Sequence, residues 1–315
     1  MHPAADSNMP ETDPWTRVSV VVVTHHSAAV IAGCMAGIGD GAEIIVIDNA
    51  SDDDTADIVA NTAPSARIIR NATGVGYGAG ANMGLAEVTR EFALLANPDS
   101  QFDDDAISHL LAGADAYPDA ALFAPRVLNA QGRDEPAHDV GLFKRRDYPS
   151  RASEAVPDGP VCAHYLSGAV VLLRMSALDD IGVFDEAIFL YYEDDDFCMR
   201  LRRAGYSAVL VPDAVVRHAG GGSVRPSMHY RWEKFWHMAW SRLYIEDKYH
   251  GPAARRRLIR SNLVRYTAKA LANGLTLNGA KTWRYLARLF GTAGYMLGVP
   301  ASRTTRRARP DALYP

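Results

Sequence analysis

Val18–Val23 reads VSVVVV. A β-branched, almost wholly apolar run of that length has no face for water. It predicts a strand buried on both sides, as in a parallel sheet covered by helices. Outward from it, Ser27–Ile38 predicts a helix, Glu43–Ile47 (EIIVI) a second buried strand, and Thr55–Asn61 a helix that Ser51 or Asp52 can cap. Arg67–Arg70 is a third short strand, the Gly-rich stretch Gly74–Gly84 leads into a helix, and Phe92–Ala96 is a fourth strand ending in Asn97-Pro98-Asp99. This βαβα alternation is α/β, with a mostly parallel central sheet. Such sheets bind ligands beyond the carboxyl ends of their strands, where His25, Asp48, Asn71 and Asp99 fall.

Residues 130–163 are rich in turn formers and charge and read as an irregular excursion. Order resumes with a strand at Val170–Leu173, a helix over Glu193–Ala204, and strands at Ala208–Val211 and Val215–Arg217. There is no internal repeat. The expected division is a flexible segment 1–17, an α/β domain 18–225 and a basic helical region 226–315. In that last region Ile259, Leu263, Tyr266 and Ala270 share one helical face, and Trp283, Leu286, Leu289 and Ala293 form a second stripe opposite Arg284 and Arg288.

Composition bounds the function. The 315 residues are 48% hydrophobic, 22% charged and 9% aromatic, which excludes disordered, collagen-like and low-complexity chains. No apolar run approaches the ~20 residues of a membrane-spanning helix. The polar Met1–Thr16 segment carries no signal-peptide pattern, so a cytoplasmic protein is expected. Three cysteines, Cys34, Cys162 and Cys198, with no CxxC pair, read as buried free thiols. Residues 251–315 hold 13 Lys and Arg against one acid, Asp311, whereas the other 250 residues hold 20 Lys and Arg against 36 Asp and Glu. A basic, amphipathic tail on an acidic body suits either a helical bundle packed on the α/β domain with a solvated basic face or attachment to an anionic membrane surface, and no nucleic-acid reading motif accompanies the charge.

Three constellations carry chemistry. Strand ends gather Thr24, Asp48, Asn49, Asn97 and Asp99 about one crevice, where a carboxylate can accept a pyrimidine imide N–H and short polar groups can hold a ribose. Singly, these are ordinary turn residues. Asp99 has a distant candidate partner in His218, before Gly220-Gly221-Gly222; a hard divalent ion bridging phosphates takes oxygen ligands with one imidazole and keeps the remaining positions for water or substrate. Finally, Glu193-Asp194-Asp195-Asp196 opens a helix. Adjacent acids raise one another's proton affinity, which suits a general base, while Asp196 reads as an i,i+4 helix pair with Arg200.

These residues resemble family 2 glycosyltransferases, most closely the bacterial rhamnosyltransferase-like branch. The likeness runs from Val18 to Ser223 through Val20–Thr24, Val46–Ser51, Asn71 with Gly74-Val75-Gly76, Gly80-Ala81-Asn82-Met83-Gly84, Asn97-Pro98-Asp99, Leu166–Ala169, Gly182–Glu186, Tyr192–Asp196, Arg202–Tyr206 and His218. The resemblance implies a GT-A type nucleotide-sugar-binding fold and inversion at the anomeric carbon. It implies that Asp48 binds the base of a UDP- or dTDP-sugar, that Asn97 lies near the ribose, and that Thr24, Asn49, Asn71, Gly76 and Asn82 complete the donor site. Asp99 and His218 are then ligands for Mg²⁺ or Mn²⁺, Asp194 is the base, and Ser167, Gly168 and Glu193 face a glycan or lipid-linked acceptor. Arg225 is a further candidate for the diphosphate. His25-His26 replaces the family's common Tyr-Asn, and Asn97 stands where many relatives have the first acid of Asp-x-Asp, leaving Asp99 as the acidic ligand.

Two rivals remain. Gly76-Tyr77-Gly78-Ala79-Gly80-Ala81 fits G-x-G-x-x-A and so a dinucleotide-dependent oxidoreductase, but that fingerprint belongs after the first strand, where Thr24-His25-His26-Ser27 stands. The other is a noncatalytic nucleotide-sugar-binding protein, against which the retained Asp194 argues.

Overall fold

The Val-rich run forms β1 (Val18–Thr24), with all seven residues buried. The computed structural model describes residues 13–145, 147–148, 154–218 and 227–301. After β1 come α1 (Ile31–Ala36), β2 (Glu43–Asp48), α2 (Thr55–Thr62), β3 (Arg67–Arg70), α3 (Tyr77–Leu85), β4 (Phe92–Ala96), β5 (Ser100–Phe102), α4 (Ala106–Ala116) and β6 (Ala120–Leu128). Four short strands follow: β7 (Asp134–Glu135), β8 (His138–Asp139), β9 (Val161–Ala163) and β10 (Tyr165–Leu166). The chain then forms β11 (Val170–Arg174), α5 (Leu178–Ile181), α6 (Glu193–Arg203), β12 (Ser207–His218), α7 (Met228–Leu275) and α8 (Gly279–Met296).

The main sheet runs β3-β2-β1-β4-β11-β6-β12-β5. β3, β2, β1 and β4 are mutually parallel, β6 and β12 point the same way, and β11 and β5 are reversed. Two apolar layers cover it, one built on α1, α2 and α4 and the other on α3, α5 and α6. Strand ends of β1, β2 and β4 therefore share one edge, which puts Thr24, Asp48 and the Asn97–Asp99 turn together.

Several local expectations are corrected. The first helix is shorter than Ser27–Ile38 because the Ser27 and Ala28 N–H groups are taken by Thr55 Oγ1 and Asp53 Oδ2, holding the chain in a turn. Neither Ser51 nor Asp52 caps α2. Asp53 accepts the Thr55 N–H at 3.2 Å, while Asp52 pairs with His26 and the Ser51 N–H donates to Asp48. The two strands expected at 208–217 are one strand, β12, with an irregularity between Val211 and Val215, where Pro212 supplies no N–H to the ladder. Cys162 is exposed rather than buried; Cys34 and Cys198 are buried.

α7 breaks at Gly251 (φ 74°, ψ −177°), followed by Pro252, so it is two helices in sequence. Its first half packs Trp240, Tyr244, Ile245 and Tyr249 on Ile188, closing a third apolar cluster. Of the first stripe, Tyr266 and Ala270 are buried and Ile259 and Leu263 half-buried. The second stripe is off by about one residue. α8 buries Ala287, Gly291, Thr292 and Gly294, and Trp283 is exposed. The cause is Trp236 of α7, whose carbonyl a Cβ on Gly291 would strike. Arg284 and Arg288, expected on the far face, lie 4.9 and 5.1 Å from the Phe235 ring of α7.

Candidate functional site

Thr24 and Asp48 are register partners at the ends of β1 and β2, both buried. Among the described residues the Thr24 hydroxyl has no hydrogen-bond partner, and Asp48 Oδ1 accepts the Ser51 N–H at 3.1 Å while Oδ2 lies 4.0 Å from Arg70 Nε. Asn49 is a knot: its Oδ1 accepts from Val75 N and Asn71 Nδ2, and its Nδ2 donates to the Gly76 carbonyl. Gly76 (φ 92°) requires glycine, because a Cβ there would collide with the Phe189 carbonyl. His25 Nδ1 bonds the Asn49 carbonyl at 2.8 Å, and burial, with His26 beside it, holds its pKa below the usual imidazole value. Asn82 spends its amide on Phe184 and Glu186, so it braces the segment before α6 from within the fold.

At the end of β12, His218 Nε2 lies 3.2 Å from the buried Asp99 Oδ1 and 3.4 Å from Asn97 Nδ2; its Nδ1 is 3.4 Å from Glu135 Oε2. The bond to Asp99, and then Glu135, raises the imidazole pKa. A carboxylate and an imidazole nitrogen side by side, with a second carboxylate behind the ring, is a donor set that fits a divalent ion. Among the described residues no group of three or more His, Cys, Asp or Glu is placed to hold a metal. A divalent ion held by this pair would need its remaining ligands from elsewhere, such as substrate and water.

Beside this pair lies a cavity of about 290 Å³ whose lining includes Asn97, Ser167, Gly168, Glu193, Asp194 and His218. These come from the β4 end, the turn before β11, the first turn of α6 and the β12 end. Asp194 Oδ2 accepts from Tyr165 Oη at 2.6 Å, and its Oδ1 accepts the Asp195 N–H at 2.9 Å. Burial, then the neighbouring Asp194 charge, pushes Glu193 well above the carboxylate range and Asp195 up to about 7. Arg145 opposes this at Asp195, 2.8 Å away, and lies 4.4 Å from the Tyr165 ring. Asp194 is thus the half-exposed, doubly oriented carboxylate of the cluster, with Glu193 Oε2 buried and unpartnered next to it.

Tyr191 (φ 67°) and Tyr192 (φ 73°) enter α6 in the left-handed region, a conformation that costs about 1 kcal/mol or more each. The helical region holds them there. Ser241 donates to the Leu190 carbonyl at 3.0 Å, and Lys248 Nζ reaches Asp185 and Asp196, each at 2.6 Å. Tyr244 and Tyr249 donate to the same two carboxylates. Asp196 also pairs with Arg200 as expected, but its larger role is to pin α7.

Sequence reasoning missed Tyr165, Arg145, Glu135 and Lys248, because nothing in their local spacing marks them; Arg145 and Glu135 lie in the stretch read as irregular. Arg225 and the glycines at 220–222 lie outside the described residues. The G-x-G-x-x-A reading loses its phosphate cradle, since α3 follows β3 and the Tyr77 N–H at its start already donates to Phe189 O at 3.0 Å.

The model of the glycosyl transferase family 2 matches residues 19–182. The chain is 29% identical over 201 residues to an N-acetylglucosaminyl-diphospho-decaprenol L-rhamnosyltransferase of Mycobacterium tuberculosis (strain ATCC 25618 / H37Rv), covering 56% of this chain and 66% of the relative. It is 28% identical over 199 residues to the low-salt glycan biosynthesis hexosyltransferase Agl10 of Haloferax volcanii, covering 59% of this chain and 62% of the relative. The matches thus span slightly less than two thirds of these relatives' lengths. In fold it is similar to S. aureus TarS 1–349 in complex with UDP-GlcNAc, with a TM-score of 0.51 at 16% identity over 90% of this chain and 92% of that one. A mannosyltransferase of Pyrobaculum calidifontis in complex with GDP-Man and Mn²⁺ gives a TM-score of 0.50 at 16% identity over 90% and 87%.

Proposed function

This chain belongs to glycosyl transferase family 2, and we propose that it moves a sugar, rhamnose or a similar hexose, from a UDP- or dTDP-linked donor to a hydroxyl of a lipid-linked glycan acceptor in cell-surface polysaccharide assembly, with inversion. The observation that carries this reading is the convergence of Asn97, Ser167, Gly168, Glu193, Asp194 and His218 on one cavity beside the Asp99–His218 pair. The lipid-linked acceptor and rhamnose follow the name of the mycobacterial relative.

Asp48 and Thr24 receive the base, with Asn49, Asn71 and Gly76 shaping that end, and Asn97 lies by the ribose. Asp99 and His218 would hold Mg²⁺ or Mn²⁺, which would supply positive charge against that developing on the leaving diphosphate. Asp194, oriented by Tyr165 and the Asp195 N–H, takes the proton of the acceptor hydroxyl as that oxygen attacks the anomeric carbon from the side opposite the diphosphate. Ser167, Gly168 and Glu193 line the acceptor side. Glu193 is buried, so Asp194 is the carboxylate of the pair that is partly exposed at the cavity.

No helix among the described residues is long and apolar enough to cross a membrane. We place the protein on the cytoplasmic face of an anionic membrane through the helical region. Leu275 and Leu277, at the turn between α7 and α8, are 87% and 92% exposed, close in sequence to Lys269 and Lys281.

The test is a donor screen with Mn²⁺ or Mg²⁺, following nucleoside diphosphate release and thermal shift together. Metal-dependent stabilisation by the nucleotide is expected and should vanish in Asp99→Ala; if that variant keeps it, the metal assignment is wrong. Donor binding with no transfer to any acceptor would favour the noncatalytic reading.

A further inference from the structure

A second cavity, of about 1070 Å³, lies between Leu142, Phe143 and Asp147 and the helical region. Tyr192, two residues before Asp194, forms part of its wall, and Arg242, Arg257, Arg265 and Arg288 line it with Tyr266. Arg265 and Arg288 sit 4.9 and 5.8 Å from the same Tyr266 ring, so two guanidiniums share one corner. Arg242 and Arg288 line the cavity together with Tyr192, and their charges offset part of the rise that burial gives the Tyr192 phenol. Glu246 and Asp147 are the carboxylates of the lining, and Glu246 is already engaged by Arg242 and His250. Arg257, Arg265 and Arg288 have no ion pair among the described residues.

Arg265 Nη2 donates to Asn262 Oδ1 at 3.0 Å and to Tyr266 Oη at 3.1 Å, which orients its fork. Three guanidiniums with no carboxylate partner among the described residues give the concavity an excess of positive charge that favours an anion. Their planar forks match phosphate oxygens two at a time. We infer that this cavity seats the diphosphate of the acceptor, with the acceptor's sugar hydroxyl passing Tyr192 toward Asp194. This rests on the acceptor reading above but concerns a different surface from the donor crevice. It assigns the arginines of α7 and α8 to acceptor recognition in addition to membrane attraction. The two ends of the acceptor are thereby separated, phosphate on the helical region and hydroxyl at the acid cluster.

The first measurement is calorimetric binding of inorganic pyrophosphate to the full chain in EDTA, where any metal-bridged diphosphate site is silent. Binding is expected, and Arg257→Gln with Arg265→Gln, which leaves the Arg288–Phe235 contact in place, should weaken it by roughly tenfold or more while the free variant still shows a cooperative melting transition. Absence of binding, or equal binding by parent and variant, overturns the proposal. The second arm uses neutral phosphatidylcholine vesicles carrying either a prenyl diphosphate or phosphatidylglycerol at matched charge. Preference for the prenyl diphosphate, lost in the double variant, is expected. Equal capture of both vesicles would make the arginines a general membrane contact, and pyrophosphate binding without that preference would assign the cavity to a soluble diphosphate; either result removes the acceptor from it. Neither arm involves sugar transfer, so failure here leaves the donor screen standing, and failure of the donor screen leaves this result interpretable.

Discussion

The sheet and the helical region are held together by different forces. In β1 and β4 the interior is Val, Leu, Ala and Phe at almost no exposure, with Ser19 the one buried polar side chain besides Thr24 at the strand end. Between α7 and α8 the contacts are aromatic and cationic: Trp232 against Trp283 at 5.4 Å, Trp240 against Tyr295 at 5.2 Å, and Arg288 against Phe235. An aliphatic layer is tolerant, since any side chain of about the right volume serves. The helical region is instead fastened to the acid-bearing α6 by a few polar pins, chiefly Lys248 between Asp185 and Asp196. The candidate site lies on the seam, so the sheet supplies its platform and the helices brace the turn that carries the acid cluster.

That contrast breaks first at the acid cluster. Asp194→Asn should lower transfer by about 10²–10⁴-fold with nucleotide-induced stabilisation and melting temperature unchanged, because an isosteric amide removes the base and keeps the fold. Parallel loss of nucleotide binding in a thermal-shift assay would show that the cluster is structural. Next in size, Asp196→Ala leaves Lys248 and Arg200 without a fully buried partner and should cost about 3–5 kcal/mol in denaturant unfolding. A change under about 1 kcal/mol would mean that the apolar cluster around Trp240, and not the ion pair, docks the helices.

A pH series sharpens the same seam. His237 is buried against Phe189 at 4.7 Å, its Nδ1 lacks a partner, and burial lowers its pKa from 6.5 to about 4. Between those values the unfolded chain takes a proton that the folded chain refuses. Stability is thus full above 6.5 and falls as pH drops toward 4, by up to about 3 kcal/mol. His237→Phe should flatten that slope, measured as melting temperature against pH; an unchanged slope would place the acid sensitivity elsewhere. The smallest effect on folding is expected at the tip: Leu275→Asp with Leu277→Asp should change stability by no more than about 0.5 kcal/mol. It should nonetheless sharply reduce co-sedimentation with anionic vesicles, and undiminished sedimentation would remove the tip from the membrane contact.

The sequence determined the layered α/β core and the positions of the strand-end residues, because buried strands leave a period and a composition that survive any tertiary context. It also marked Asp48, Asp99, Asp194 and His218, since each sits next to a punctuating turn or element end. It placed the second helical stripe one residue off because amphipathicity counts apolar side chains, whereas the α7–α8 contact selects small ones that let Trp236 approach. It shortened nothing at Ser27 and Ala28, where side chains of Asp53 and Thr55, distant in sequence, take the N–H groups a helix would leave open. Only the tertiary structure brought Tyr165 to Asp194, Arg145 to Asp195, Glu135 to His218 and Lys248 to Asp196. Those are pairs between segments 29 to 83 residues apart, and a charged or phenolic side chain in a loop carries no periodic signal of its partner; burial and direction exist only once both segments are packed.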